Sequence, residues 1–261
     1  MNIGCVHLAC FSATYTTRKI AELILEPINA PIIRYDLTEN IPDKTIFLNK
    51  EDLFVIAVPV YAGRVPAKAA EALRMFRGEN TPAVLVCVYG NREYDDALLE
   101  LKDIAKEGAF GIVSAGVFIA QHSIFPRMAA GRPDATDMKI IRDFSKKTAE
   151  LIARIPDVSV LPEIQVKGNY PYKVPGVIPL HPTGGKKCNV CGSCVRLCPV
   201  HAIPENDPCS TDPQKCISCG RCVQICPQHA RRFRGLAYRI VAWKFTRNYS
   251  ARKEPELFYA L

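Results

Sequence analysis

The sequence is poor in the features by which membrane, secreted and dinucleotide-binding proteins are usually recognised. None of its apolar runs is longer than a β-strand, so no membrane span is expected. The first residues carry neither a basic stretch nor a small-residue cleavage site, and we therefore expect no secretory signal. The loop after the first apolar run lacks the G-x-G-x-x-G glycines that are typical of dinucleotide-binding loops.

Cysteine, by contrast, is abundant and regularly spaced. Eight of the 12 cysteines form two runs of the pattern C-x2-C-x2-C-x3-C-P, at residues 188–199 and 216–227. In bacterial ferredoxins this pattern binds a [4Fe–4S] cluster, and the fourth cysteine of each run ligates the cluster of the other run. Two tandem runs therefore predict two clusters and a protein that carries electrons.

The crossed arrangement assigns every cysteine of the two runs to one cluster. The predicted ligands of cluster I are Cys188, Cys191, Cys194 and Cys226, and those of cluster II are Cys216, Cys219, Cys222 and Cys198. Because each run supplies a ligand to the other, neither run should fold alone. An internal duplication accompanies the pattern, since residues 187–203 and 215–231 are identical at 10 of 17 aligned positions.

Other uses of these cysteines fit less well. Disulfides are typical of small secreted chains, and zinc sites usually take two separated cysteine pairs without a third cysteine and a proline. Oxygen-sensitive clusters without an export signal predict a cytoplasmic protein. Among the remaining cysteines, Cys5 and Cys87 should be core thiols, Cys10 could face a ligand, and the role of Cys209 stays open.

Strands and helices alternate through the first part of the chain. Continuous apolar runs separated by helical stretches predict a doubly wound, five-stranded parallel α/β sheet. The runs lie at 3–10, 32–35, 53–58, 83–88 and 112–120. We predict four regions: an α/β domain at 1–157, a proline-rich linker at 158–186, a small α+β two-cluster domain at 187–232, and a basic amphipathic tail at 233–261. The tail should be helical and pack on the chain through Leu236, Ile240 and Trp243.

Positive charge is concentrated in the second part of the sequence. Residues 1–157 hold 19 Lys and Arg against 20 Asp and Glu, whereas residues 158–261 hold 15 against 6. No acid occurs from 231 to 253. Each oxidised cluster with its thiolates carries roughly −2, so much of this excess balances the cofactors. We therefore expect no nucleic acid; a solvated basic face or the docking of an acidic protein partner accounts for the rest.

Three loops should meet at the carboxyl edge of the predicted sheet. The first has hydroxyl side chains at a helix N-terminus, an arrangement that suits a phosphate monoester. Flavodoxins bind the FMN phosphate with a Thr-Gly-Asn-Thr-like loop, which this loop resembles at Ser12, Thr14 and Thr17 but not at Tyr15 and Thr16. Thr16 keeps a hydrogen-bond donor, whereas Tyr15 tolerates a positive φ less well than glycine.

The two later loops complete the predicted flavin site. Tyr61 and Tyr94 could stack on the two faces of the flavin ring, while nearby backbone groups bond its rim. The predicted FMN-binding residues of all three loops are Ser12, Thr14, Thr16, Thr17, Pro59, Val60, Tyr61, Ala62, Gly63, Tyr89, Gly90, Asn91, Arg92, Tyr94 and Asp95. Arg64 and Arg92 are candidates for stabilising a reduced flavin, with ordinary surface arginines as the alternative. His122 is a candidate proton donor, and a structural loop histidine is the alternative.

The sequence as a whole resembles the flavodoxin–ferredoxin fusion proteins found largely in anaerobes. The resemblance rests on the Phe-Ser-x-Thr loop, the Pro-Val-Tyr-x-Gly-Arg-x-Pro loop, the Tyr-Gly-Asn-Arg-x-Tyr-Asp-Asp loop and both cysteine runs. It implies an FMN domain connected electronically to two clusters.

We therefore predict electron transfer between the two clusters and FMN, linking a ferredoxin or reductase to an acceptor. A second hypothesis is an FMN-dependent reductase of a small molecule that the clusters supply with electrons. A third is a basic binding module in which the clusters are structural. The sequence leaves the donor, the acceptor, the direction of flow and the oligomeric state open.

Overall fold

The computed structural model describes residues 1–176 and 178–261. Its strands are β1 (Cys5–Cys10), β2 (Ile32–Asp36), β3 (Ile46–Leu48), β4 (Asp52–Pro59), β5 (Phe76–Gly78), β6 (Thr81–Tyr89), β7 (Phe110–Ile119) and β8 (Glu256–Tyr259). Its α-helices are α1 (Thr16–Leu25), α2 (Ala67–Leu73), α3 (Ala97–Glu107), α4 (Ala135–Arg154), α5 (Ser193–Arg196), α6 (Arg221–Gln224) and α7 (Leu236–Tyr249), and a 3₁₀ turn covers Val158–Val160.

The main sheet has the strand order β2-β1-β4-β6-β7-β8. Its first five strands are parallel, and their order follows the 2-1-3-4-5 pattern of flavodoxin-like folds once the short β3 and β5 are set aside. Helices α2 and α3 pack on one face of the sheet, whereas α1 and α4 pack on the other. The central strands are therefore buried on both sides, which explains their continuous apolar runs.

The predicted fold class is confirmed: a flavodoxin-like α/β sheet is followed by a ferredoxin-like region. Two details differ from the prediction. Strands β3 and β5 form a separate two-stranded sheet, and β8 adds a sixth, antiparallel strand beside β7. Because β8 comes from the last residues of the chain, the C-terminal segment closes the edge of the N-terminal sheet.

The proline-rich segment has no regular element after the 3₁₀ turn, among the residues that the structure describes. It lies along α3, where the Lys173 N–H donates to Asp96 at 2.6 Å and the hydroxyls of Tyr170 and Tyr172 donate to Asp103. Acidic side chains of α3 and of its N-cap thus hold this segment.

The two cysteine runs have matching backbones. Each contains a left-handed glycine before a one-turn helix, Gly192 (φ 73°) before α5 and Gly220 (φ 78°) before α6. Positive φ also recurs at Val190 and Ser218, 28 residues apart, and the two histidines that follow the runs repeat it. The duplication seen in the sequence is therefore a duplication of conformation.

Helix α7 packs through a different side from the one predicted. Leu236, Ile240 and Trp243 are exposed, whereas Tyr238 and Phe245 on the opposite side pack against Phe125. The apolar pattern favoured the side with Leu236, Ile240 and Trp243, but contact with Phe125 buries the aromatic side instead. In the parts of the chain that the structure covers, no helix is both long and apolar enough to cross a membrane.

Candidate cofactor sites

Tyr15 begins α1 in the left-handed conformation (φ 65°) that glycine would adopt more readily. The ring of Tyr15 is 40% exposed and lies beneath the guanidinium of Arg221, whose Cζ is 5.4 Å from the ring centroid. A cation–π contact from the second cysteine run therefore supports this strained turn. Tyr15 makes no side-chain cap and the first turn of α1 holds no acid, so this helix start and its dipole suit an anion.

The hydroxyl residues of this loop divide into two groups. Thr14, Thr16 and Thr17 line a cleft above the carboxyl ends of the strands. Ser12 is buried instead: its Oγ accepts a hydrogen bond from the Arg18 N–H at 3.1 Å, while its own N–H donates to Thr38. Ser12 thus shapes the loop, and the three threonines present the donors.

The loop after β4 forms a tight turn at the same cleft. The backbones of Tyr61 and Arg64 pair in both directions, at 2.9 and 3.1 Å, with Ala62 and Gly63 at positive φ between them. The predicted residues Pro59, Val60, Tyr61 and Ala62 line the cleft. Gly63 instead lines a second groove beside this cleft, the adjoining groove. Burial raises the pKa of Tyr61 well above its usual value, so its hydroxyl stays protonated.

The loop after β6 contributes fewer residues than the sequence suggested. Tyr89 and Gly90 line the cleft, and a side chain at Gly90 would collide with the His122 ring at 2.6 Å. Asn91 is directed to the C-terminal segment, where its amide donates to the carbonyls of Tyr249 and Ala251 at 2.7 and 2.8 Å.

Tyr94 does not reach the cleft. Only 1% of it is exposed, and its hydroxyl donates to Glu256 at 2.9 Å. Asp95 forms ion pairs with Arg92 and Lys173. The structure therefore does not bring Tyr61 and Tyr94 together around a ring. Tyr61 and Tyr89 are the two tyrosines that line the cleft.

The arginines considered for a flavin are already paired. Arg64 makes a bidentate contact with Glu100 at 2.8 and 2.9 Å and lies over the Tyr172 ring. Arg92 pairs with Asp95 and lines a groove that adjoins the cleft. This adjoining groove has a volume of about 350 Å³, and its walls include Phe125, Val241 and Phe245. Glu100 and Tyr172 thus hold Arg64, whereas Arg92 lies in the adjoining groove beside the cleft.

His122 lies between the cleft and the adjoining groove. Its Nδ1 accepts the N–H groups of Ile124 and Phe125, at 3.1 and 3.3 Å, so the neutral ring carries its proton on Nε2. Burial, with a smaller contribution from nearby Arg92, lowers the pKa of His122 to about 4. This histidine can donate a hydrogen bond near neutral pH, but it holds no exchangeable cationic proton there.

Several residues of the cleft were not predicted. Gln121, Ser123 and Ile124 follow β7, Ile178 belongs to the proline-rich segment, and Ile217 and Ser218 lie inside the second cysteine run. A Cβ on Gly220 would be 3.3 Å from Ser123 and 3.6 Å from Thr14. The second run therefore abuts the loop that begins α1. The cysteine spacing located this run in the sequence, but no local signal indicated what it would contact.

The eight motif cysteines surround two separate cavities. The four side chains around each cavity are the crossed sets: Cys188, Cys191, Cys194 and Cys226 for the first, and Cys198, Cys216, Cys219 and Cys222 for the second. In each, three cysteines come from one run and the fourth from the other. This grouping is what crossed ligation of two clusters requires.

Buried cations test whether negatively charged clusters fit these cavities. Arg231 lines the first cavity and Arg221 the second, and each is only 2% exposed. The Nε of Arg231 and the Nη1 of Arg221 are buried without a hydrogen-bond partner. Buried charged donors are costly unless paired. Cluster sulfides or thiolates at these positions would supply acceptors, so the residues fit [4Fe–4S] groups.

Comparisons with known proteins give one family match and several structural similarities. Residues 210–232, which hold the second run, match the family model described as a 4Fe–4S binding domain. No curated protein matches the chain.

Solved structures resemble the N-terminal part. A flavodoxin of Fusobacterium nucleatum bound to flavin mononucleotide is 14% identical, with 57% of this chain and 98% of that chain covered and a TM-score of 0.39. A flavodoxin of Streptococcus pneumonia (14% identity, 59% and 99% covered) has a TM-score of 0.38. An NADH:FMN oxidoreductase in its apo form (13% identity, 60% and 93% covered) has a TM-score of 0.42. By its strand order the chain has a flavodoxin-like domain, and by its second cysteine run it carries a 4Fe–4S binding domain.

Proposed function

We propose that the protein transfers electrons between two [4Fe–4S] clusters and an FMN held in one chain. One observation carries this proposal: Ile217 and Ser218 lie between two ligands of cluster II and also line the cleft beside Thr14 and Thr17. A cysteine loop and a phosphate-binding loop thus share one wall. Such contact favours transfer within the chain, since no diffusion of a carrier would be needed.

The residues of the cleft would hold the flavin by its phosphate and its ring. The hydroxyls of Thr14, Thr16 and Thr17, with the N–H groups at the start of α1, would bind the phosphate. Tyr61 and Tyr89 offer aromatic surface for the ring. When bound, the clusters supply one-electron transfers and the flavin exchanges one or two electrons. The protein supplies binding, orientation and a neutral donor at His122.

Access from outside differs between the two cluster sites. Cys191 and Val190 of the first run are exposed, whereas Cys219 and Ser218 of the second run are buried. Cluster I would therefore meet an external ferredoxin or reductase, and cluster II would face the flavin. The exposed arginines of α7 suit an acidic partner.

The test is anaerobic reduction of the fully loaded protein, followed optically. We expect about eight iron and one FMN per chain, and bleaching of the clusters by a reduced ferredoxin should precede reduction of the flavin. A Thr14→Ala, Thr17→Ala variant that keeps its iron is the control, because there the sequence should stop at the clusters. Flavin reduction that is equally fast in protein lacking the clusters would contradict the proposal.

The adjoining groove favours a second candidate function, reduction of a small molecule at the flavin. Its volume of about 350 Å³ and its aromatic walls at Phe125 and Phe245 are suited to an apolar, ring-containing substrate. Substituting Val241→Trp would fill this groove without touching the threonine loop. Turnover of a quinone or nitroaromatic probe that falls in this variant, while electron exchange with ferredoxin does not, would support the reductase function.

A further inference from the structure

The internal duplication provides a built-in comparison between the two cluster sites. Aligning the repeats at their offset of 28 places Ser193 opposite Arg221 and Ile203 opposite Arg231. Ile203 is a buried apolar residue, 4% exposed, and lines the cavity of cluster II. In the second repeat, each of these positions holds an arginine that is only 2% exposed. Two buried cations therefore distinguish repeats whose cysteine spacing and backbone turns are the same.

Arg231 lies between the two cluster sites. It lines the cavity of cluster I, and its Nη2 donates to the carbonyl of Pro182 at 2.7 Å while Nη1 donates to that of Pro208. Of the residues that Arg231 bonds, Pro208 lines the cavity of cluster I, whereas Pro182 and Thr211 line that of cluster II. The Nε of Arg231 is the group left without a partner.

Arg221 lies between cluster II and the flavin cleft. It lines the cavity of cluster II, donates from Nε to the carbonyl of Leu197 at 3.1 Å, and forms an ion pair with Glu39. Its guanidinium also covers the ring of Tyr15, at the start of the phosphate-binding helix. The Nη1 of Arg221 has no partner, although the side chain is almost entirely buried.

We infer that Arg221 and Arg231 are positioning residues that raise the reduction potentials of the clusters, Arg221 acting on cluster II alone and Arg231 acting on both. Reduction adds negative charge to a cluster, and a cation fixed in a poorly solvated site stabilises that charge more than water-screened surface lysines do. Hydrogen bonds to cluster sulfurs act in the same direction. The inference rests on the proposed function, which places two clusters in the chain, and adds which residues make their reduction potentials unequal.

Glu39 permits a test that leaves both arginines in place. Its side chain is 41% exposed and offsets the charge of Arg221. Glu39→Gln should raise the potential of cluster II, whereas Arg221→Met should lower it. Each shift should correspond to at least a tenfold change in the one-electron equilibrium constant, about 59 mV. The measurement is an EPR-monitored redox titration of anaerobically prepared protein, with iron content determined on the same sample.

Arg231→Met should lower both potentials, and Arg231→Lys, which keeps the charge, should restore most of the shift. Arg232→Met, which removes an exposed neighbouring cation that lines neither cysteine cavity, is the matched control and should change neither potential. Because Arg231 also binds three backbone carbonyls, its methionine variant can lose a cluster. In that event the opposite shifts of Glu39→Gln and Arg221→Met test the role of Arg221, and Arg231→Gln, which keeps N–H donors without the charge, tests that of Arg231.

The outcomes separate this inference from the proposed function. Full iron content and normal flavin reduction, with the cluster II potential unchanged in both Glu39→Gln and Arg221→Met, would overturn the inference and leave the proposed function standing. Shifts of the same sign in these two variants would also overturn it. Protein without two clusters would instead remove the proposed function itself.

Discussion

The two cysteine runs share a ligand spacing and a set of backbone turns, yet they lie in different surroundings. The first run exposes Cys191 and Val190 to solvent. The second run buries Cys219 within the main core of the flavodoxin-like domain, in the same cluster of side chains as Tyr61. The two runs have the same cysteine spacing, but only the second is buried against the flavodoxin-like domain. The first run therefore forms an outer cluster site and the second run an inner one.

The largest effect is expected from removing a ligand that one run supplies to the cluster of the other run. Cys198 belongs to the first run but lines the cavity of cluster II. We expect Cys198→Ser to lower the iron content by up to half and to abolish the EPR signal of cluster II, because a cube loses one of its four thiolates.

The matched variant is Cys226→Ser, which should damage cluster I instead. Loss of cluster I alone in Cys198→Ser would show that each run binds its own cluster, and the crossed assignment would be incorrect.

A second prediction concerns the wall shared by the inner run and the flavin cleft. Thr14→Ala with Thr17→Ala should weaken FMN binding by about 3–6 kcal/mol, because each hydrogen bond to a charged phosphate contributes roughly 1.5–3 kcal/mol. Fluorescence titration of the flavin measures this change. Iron content should stay the same, since neither threonine lines a cysteine cavity.

Ser12→Ala is the control for the threonine variant. Its hydroxyl holds the loop through the Arg18 N–H, so we expect a smaller loss of affinity together with a loss of stability. Equal flavin affinity in all three proteins would place the phosphate at another site.

Charge reversal on the outer surface tests how a partner approaches. Arg239, Lys244 and Arg247 on α7 are exposed. Changing all three to Glu should slow reduction by an acidic ferredoxin at least tenfold at low salt and leave reduction by dithionite unchanged, because electrostatic steering raises association rates. In the unmodified protein, the rate with ferredoxin should fall as ionic strength rises.

Lys139, Lys146 and Arg154 of α4 are three exposed cations outside α7, and their reversal to Glu is the control with the same change in net charge. A rate that responds equally to both sets of changes would indicate net charge rather than a docking face.

The smallest expected effect is the titration of His122 beside the inner run. Its pKa of about 4 lies below the ordinary value, so folding favours the neutral ring. The resulting stabilisation is fully present above about pH 6.5 and decreases as the pH falls toward 4. NMR of flavin-free, cluster-loaded protein should show a neutral ring with the proton on Nε2 at pH 6. A midpoint near 6.5 would mean that the ring is solvated.

Short-range patterns in the sequence account for much of the architecture. Continuous apolar strands alternating with helices predicted the doubly wound sheet, because strands buried on both faces need no polar alternation. The cysteine spacing predicted two tight loops, and the structure has a left-handed glycine and a one-turn helix in each run. The sequence likewise placed the threonine loop at the start of a helix, because a helix start is defined by neighbouring residues.

Long-range contacts decided the rest. Strand β8 pairs with β7 across more than a hundred residues. The segment before β8 binds Asn91, and Glu256 of β8 itself binds Tyr94, so both side chains lie away from the cleft. Helix α7 carries apolar residues on two sides, and only packing against Phe125 selects one of them. The contact of the second run with the start of α1 depends on how two domains dock. Spacing along a chain determines local turns and ligand sets, but burial depends on residues that are distant in sequence, and only the folded chain brings those together.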